Sequence, residues 1–191
     1  LLNSYMFIIK NYYYFYIENT QDVDLNYMRR NKKVFIIYRN NTSKESLVEI
    51  IKFRKICNIK KFKFYIANNH KLAKDSKADG LYLSSYNKKK YLFKKIKLIG
   101  SAHNFKEIFE KIKQGCNTII LSRLFQTSYK NKNGHFGVVK FNLLKNKYLV
   151  DIVPLGGINN KNLLKLNLVK SNGFAILSEI KKKPAISNRL F

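Results

Sequence analysis

Eight short, nearly continuous apolar runs constrain what this chain can fold into. They are Tyr12–Ile17, Val34–Tyr38, Phe62–Ala67, Leu81–Leu83, Leu98–Gly100, Thr118–Leu121, Leu149–Pro154 and Gly173–Leu177. Each is too short for a buried helix and lacks the alternation of a half-exposed strand, so each reads as a parallel strand covered by helices. Stretches of helical periodicity lie between them. The clearest places Phe105, Ile108, Phe109 and Ile112 at i, i+3, i+4 and i+7. Asn104 stands in front as N-cap, Glu107 is its capping-box partner, and Gly115 ends the segment. A second helix carries Leu47, Val48, Ile50, Ile51 and Arg54 behind Thr42 or Ser43, and a third carries Leu163, Leu164 and Leu166 behind Asn159 or Asn160. The helices after the first and fourth runs are short. Eight strands alternating with helices predict an α/β chain folded as a (β/α)8 TIM barrel, with an open doubly wound sheet as the competing reading. At 191 residues the barrel must be compact, with some helices short or missing. Residues 12–191 are expected to form one barrel domain, and residues 1–11 an N-terminal extension.

The charge of +27 would ordinarily point to nucleic acid or a membrane surface. Here it is almost all lysine, spread along the chain, and the densest runs are only Lys88–Lys90 and Lys181–Lys183. That pattern is a compositional drift rather than a recognition patch, and no specific nucleic-acid partner is expected. No window approaches the 18 uninterrupted apolar residues of a membrane span, so no membrane partner is expected either. Leu1–Ile9 lacks a basic start and a small-residue cleavage site, so no signal peptide is expected. Cys57 and Cys116 lie far apart and outside any Cys-x-x-Cys spacing, which reads as two small buried hydrophobes in a reducing, cytoplasmic protein.

In a barrel of this kind the active site sits at the carboxyl ends of the strands. The residues there include Glu18-Asn19, Arg39-Asn40-Asn41, Asn68-Asn69, Ser101-Ala102-His103, the loop from Ser122 to Lys130, Gly156-Gly157-Ile158 and Ser178. This set is rich in donors and poor in carboxylates, which suits an anion such as a phosphate ester. Gly156-Gly157 lets backbone N–H groups approach an oxyanion, and a helix starting near Asn159 would add its positive end. The same pair could equally make a tight turn. Ser178 could add a hydroxyl. Arg39 can grip a phosphate or diphosphate with two donors, or pair with Glu18 at the surface. Lys130 can offer a point charge. His103 reads as a satisfied or exposed histidine. No paired carboxylates, Ser/His/Asp order or metal-ligand set stands out.

Three stretches then carry a family resemblance. Ala73–Leu83, "AKDSKADGLYL", Ile99–Lys130, "IGSAHNFKEIFEKIKQGCNTIILSRLFQTSYK", and Pro154–Ile180, "PLGGINNKNLLKLNLVKSNGFAILSEI", in that order resemble the thiamine-phosphate synthase and thiazole tautomerase superfamily. The resemblance covers about Tyr12 to Ile180. It implies a barrel that joins hydroxymethylpyrimidine diphosphate to thiazole phosphate, giving thiamine phosphate and pyrophosphate. By resemblance, Gly156, Gly157 and Ser178 would hold the thiazole phosphate. Ser101 would touch the reacting diphosphate, Thr127 and Lys130 would come from the loop after strand six, and Arg39 would match the family's arginine. Arg39, Ser101 and Lys130 are thus the catalytic candidates, and Thr127, Gly156, Gly157 and Ser178 the substrate-binding ones.

The chain also departs from the family pattern. The family's glutamine and lysine beside that arginine fall on Ile37 and Asn41, its histidine falls on Tyr82, and a second threonine falls on Tyr129. Its two magnesium-binding aspartates fall on Asn68 and Asn87, so Mg2+ is expected of the family while its ligands are degenerate here. The expected function is a thiamine-phosphate synthase-like transferase weakened at its metal site. The alternative is a metal-independent tautomerase-like enzyme, or a non-catalytic binder of thiazole or thiamine phosphate. The tautomerase branch usually places a histidine where this chain has Arg123.

Overall fold

A computed structural model describes residues 10–40, 45–91, 96–127, 134–159 and 161–176. Eight parallel strands run in chain order, β1 (Tyr12–Ile17), β2 (Val34–Tyr38), β3 (Lys63–Ala67), β4 (Gly80–Leu83), β5 (Lys97–Ala102), β6 (Thr118–Ser122), β7 (Asp151–Leu155) and β8 (Gly173–Ile176). Each pairs with the next, and β8 pairs back onto β1 through Tyr12–Gly173 to Phe15–Ile176, so the sheet closes into a barrel. Every expected run became a strand, and the open sheet is excluded. The seventh shows how the edges shifted. Leu149 stands fully exposed in the preceding turn, and the strand begins at Asp151.

The strands are apolar on both faces because both faces are buried. Tyr14, Tyr16, Ile37, Tyr65, Tyr82, Ile99, Ile120, Val153 and Ala175 fill the barrel, while Tyr13, Phe15, Ile17 and their counterparts pack under the helices. Tyrosine dominates the lumen, and its rings settle in the offset and edge-on geometries that aromatic quadrupoles favour. Tyr14 stacks on Phe35 with centroids 4.7 Å apart, and Tyr16 meets Tyr82 edge-on at 5.5 Å.

Helix α1 (Leu47–Ile59) is capped by Ser46, whose hydroxyl accepts from the Glu49 N–H, and Glu49 closes the capping box. Thr42 and Ser43, the expected caps, lie outside the described residues. Helix α2 (His70–Asp75) is short and follows the Asn69 cap. Helix α3 (Phe105–Lys113) has the expected Asn104 cap and Glu107 partner, with Gly115 at φ +86° just beyond it. Its buried stripe differs from expectation. Ile108 and Lys111 are fully buried, while Phe105 and Phe109 stay about half exposed. Helix α4 (Gly137–Lys145) packs against β7.

The third expected helix is a 3-10 segment, Leu163–Leu168, behind Asn162 rather than Asn159 or Asn160. The segment is six residues long, and short runs of this kind commonly wind as 3-10 turns. Two single-turn 3-10 segments, Thr20–Asp22 and Leu25–Tyr27, follow β1, and no helix follows β4 among the described residues. Among those residues no helix is long and apolar enough to cross a membrane.

Candidate active site

The carboxyl ends of the strands surround a pocket of about 360 Å3. Five of the sequence-selected residues line it: Arg39, Ser101, Thr127, Gly156 and Gly157. Lys130 and Ser178 lie outside the described residues.

Each lining side chain has a local reason for its place. Ser101 sits within β5, which runs on to Ala102, and pairs in register with lumen-facing Ile120, so its hydroxyl faces the top of the barrel. Directly below is the phenol of Tyr82. It accepts from the Tyr16 hydroxyl at 3.1 Å and shares a side-chain hydrogen bond with Ser101. Burial pushes both phenols up from their ordinary range, so Tyr16 and Tyr82 stay protonated as a neutral floor. Arg39 follows β2, its N–H bonded to the Ile17 carbonyl at 2.8 Å. Its guanidinium reaches the pocket wall, where the Nε is buried without a hydrogen-bond partner among the described residues.

The glycine pair joins two loops. Leu124 and Phe125 N–H groups donate to the Leu155 and Gly156 carbonyls at 2.9 and 3.0 Å, drawing the loop after β6 across the end of β7. Gly157 has φ +70°, and a Cβ there would stand 2.4 Å from the Gln126 carbonyl oxygen. The crossing therefore needs glycine whatever else the pair does. Among the described residues no α-helix starts behind it, and Leu163–Leu168 is a 3-10 segment. There the Asn162 amide donates to the Gly157 carbonyl at 2.7 Å and accepts from the Asn159 N–H at 2.9 Å. From the same crossing loop, Arg123 Nη1 donates to the Thr127 hydroxyl at 3.3 Å.

Several lining residues were missed by sequence reasoning. Ser84, Ser85 and Tyr86 line the wall just past β4, and their position one step beyond Leu83 is the signal that would have found them. Ser122 and Arg123, already among the strand-end residues of the sequence, also line it, and His103, likewise named there, stands at its edge, half exposed and 3.0 Å from Glu107. Among the described residues the wall contains no carboxylate. A second hollow shares His103, Ser122 and Arg123 with the first and adds His135 and Lys140, so the mouth is cationic on the β5–β6 side.

Asn68 and Asn87 stand behind the β4 wall. Asn68 takes the left-handed conformation at φ +57°, which asparagine tolerates. Its side-chain oxygen accepts from the Ser84 N–H at 3.0 Å and from the Asn87 amide at 2.9 Å, and its own amide donates to the Ser84 and Tyr86 hydroxyls at 2.7 and 3.0 Å. The Asn87 side-chain oxygen accepts from the Lys89 N–H at 2.9 Å. Magnesium takes near-octahedral oxygen ligands and usually at least one carboxylate. Here both amide oxygens already accept hydrogen bonds and no described carboxylate lines the pocket, so these residues do not fit the ion. Among the described residues no three His, Cys, Asp or Glu side chains converge anywhere.

The "ADG" stretch that helped the resemblance has a structural use. The Asp79 carboxylate accepts from the Phe64 N–H at 2.9 Å and pairs with Arg54 at 2.9 Å and Lys63 at 3.1 Å, tying α1 to the start of β3.

Comparison with known proteins gives a consistent result. A family model described as thiamine monophosphate synthase matches residues 22–180. The thiamine-phosphate synthase of Clostridioides difficile is 30% identical, over 80% of this chain and 75% of that protein. That of Prochlorococcus marinus (strain MED4) is 29% identical over 74% of this chain but only 42% of its own length, so the chain spans about two fifths of that relative. Thiamine phosphate pyrophosphorylase from Pyrococcus furiosus superposes with a TM-score of 0.75 at 16% identity, covering 94% of this chain and 93% of that one. At that identity the match speaks for the fold alone.

Proposed function

The chain belongs to the thiamine monophosphate synthase family, and on that premise we propose that its rim pocket joins hydroxymethylpyrimidine diphosphate to thiazole phosphate, releasing pyrophosphate and thiamine phosphate. Residues 12–191 would form the barrel domain that does this, in a cytoplasmic setting. The observation that carries the reading is the convergence of Arg39, Ser101, Thr127, Gly156 and Gly157 on one pocket whose described wall holds no carboxylate.

In this reading Gly156, Gly157, Thr127 and Ser178 hold the thiazole phosphate, while Arg39, Ser101 and Lys130 hold the diphosphate. As the pyrimidine–diphosphate bond breaks, negative charge grows on the departing group. Fixed donors and cations placed at that charge lower the barrier, because they need no reorganisation at the moment of reaction. Arg39 suits the task, since a planar guanidinium bonds a diphosphate oxygen pair in parallel. Tyr82 and Tyr16, kept neutral, close the floor without repelling the anion.

The test is to incubate the purified chain with both precursors and follow thiamine phosphate and pyrophosphate. Both products are expected, with the Arg39→Ala variant slower by about 100-fold or more. The Asn68–Asn87 amide pair favours a second reading, a member that holds thiazole or thiamine phosphate without synthase chemistry. Tight thiamine phosphate binding with no turnover at high enzyme concentration would select it.

A further inference from the structure

We propose that this pocket receives its diphosphate-bearing ligand without a divalent cation, the amide pair having taken over the corner where the resemblance puts a metal. This rests on the reading above that the pocket is a phosphate site, and deepens it.

Three observations carry the inference. The first is the closed amide pair. The Ser84 N–H fixes which atom of the Asn68 amide is oxygen, and the Asn87 amide donates to that same oxygen. With two donors on it, the oxygen has no lone pair left to offer a metal.

The second is a buried cation directly behind. The Lys111 ammonium, on a fully buried side chain, donates to the Asn87 carbonyl at 2.7 Å and to the Gln114 side-chain oxygen at 2.8 Å, and Gln114 returns a bond to the same Asn87 carbonyl at 3.0 Å. Gly100 makes room for its stem, since a Cβ at that position would lie 2.9 Å from Lys111 Cγ. A residue already receiving an ammonium on its carbonyl is a poor neighbour for a divalent ion.

The third is the unused donor at the end of β2, the strand beside β3. Arg39 Nε is buried with no partner among the described residues, on a wall whose described residues include no carboxylate. A buried donor left unsatisfied costs free energy that a bound anion would recover. The negative charge that a metal would offset is therefore met by Arg39, with Arg123 on the opposite loop and the cationic mouth beyond it. A free diphosphate fits this arrangement better than its magnesium complex, which would bring an ion into a pocket without an acidic ligand.

The experiment is calorimetric titration of the full chain with inorganic pyrophosphate, in millimolar magnesium and in excess EDTA, beside a titration with thiamine phosphate. Pyrophosphate is expected to bind in EDTA at least as tightly as in magnesium, because magnesium withdraws the free anion. The Arg39→Ala variant is expected to lose about tenfold or more in EDTA, with Arg39→Lys in between. Affinity that falls tenfold on chelation, or is indifferent to Arg39→Ala, overturns the inference. If pyrophosphate fails in both conditions while thiamine phosphate binds, the inference falls and the phosphate-site reading stands. If neither binds, both fall. Thermal melts without phosphate give an independent readout. The wild-type midpoint is expected to ignore magnesium, while the Asn68→Asp, Asn87→Asp double variant gains a magnesium-dependent rise. A double variant that stays indifferent overturns the assignment to the amide pair.

Discussion

Gly157 carries the tightest backbone crossing at the rim. An added Cβ would meet the Gln126 and Phe125 carbonyl oxygens at 2.4 and 2.5 Å, in a left-handed conformation at φ +70°. Gly157→Ala is expected to cost at least about 2 kcal/mol in chemical denaturation, and to weaken phosphate-ester binding because the loop bearing Arg123 and Thr127 must shift. A second prediction concerns the two cysteines, which are free and buried. Burial pushes the Cys57 and Cys116 thiols up to about 12, against about 8.5 in an unfolded chain. The folded state thus keeps these protons longer than the unfolded state does. Their contribution to stability is whole below about pH 8.5 and is lost as the pH rises toward 12. Unfolding free energy should decline above about pH 9, and native protein should resist alkylation at neutral pH while the denatured chain takes up two labels. At this scale the sequence yields residues whose chemistry differs from their surroundings. Arg39, Ser101 and the glycine pair are polar or side-chain-free at the ends of apolar runs. Tyr82 does not stand out, because a tyrosine inside an apolar run reads as core, and only the register of β4 shows its hydroxyl meeting Tyr16 and Ser101.

Helix α3 illustrates what periodicity reveals and what it hides. Its caps and length follow from Asn104, Glu107 and Gly115, yet its inward face is rotated so that Lys111 is buried and the two phenylalanines are not. Lysine on an apolar face reads as solvent-facing unless its acceptors are known, and those come from Asn87 and Gln114, one of them 24 residues away in sequence. Gly100 and Lys111 form a size-matched pair. Gly100→Ala is expected to destabilise the fold by about 1–3 kcal/mol, and the Gly100→Ala, Lys111→Ala double variant to lose less than the two singles together in a double-mutant cycle. The segment after β7 makes the complementary point. Leucines at helical spacing suggested an α-helix with its positive end toward the glycine pair, but the segment winds as 3-10 behind Asn162. Element boundaries that depend on tertiary closure, such as Asp151 rather than Leu149 opening β7, are likewise invisible to local pattern.

Across the whole molecule, the closed barrel was legible because eight doubly buried strands leave a signal of unbroken apolar runs that few other architectures produce. Closure brings residues as distant in sequence as Arg39 and Gly157 to one rim, and no local motif carries that information. The charge of +27 acts at this scale too, through self-repulsion that salt screens. The thermal midpoint is expected to rise by about 2–4 °C on moving from low to physiological ionic strength, the equivalent of roughly 1 kcal/mol for a chain of this size. The central claim is that the carboxyl-end rim is where a phosphate ester binds. Backbone amide NMR of the full chain titrated with thiamine phosphate tests it most directly. Shifts concentrated at Ser101, Thr127, Gly156 and Gly157 are the expected result. Shifts confined to the opposite end of the barrel, around Asp151 and Gly173, or no shifts at all at saturating ligand, would contradict it.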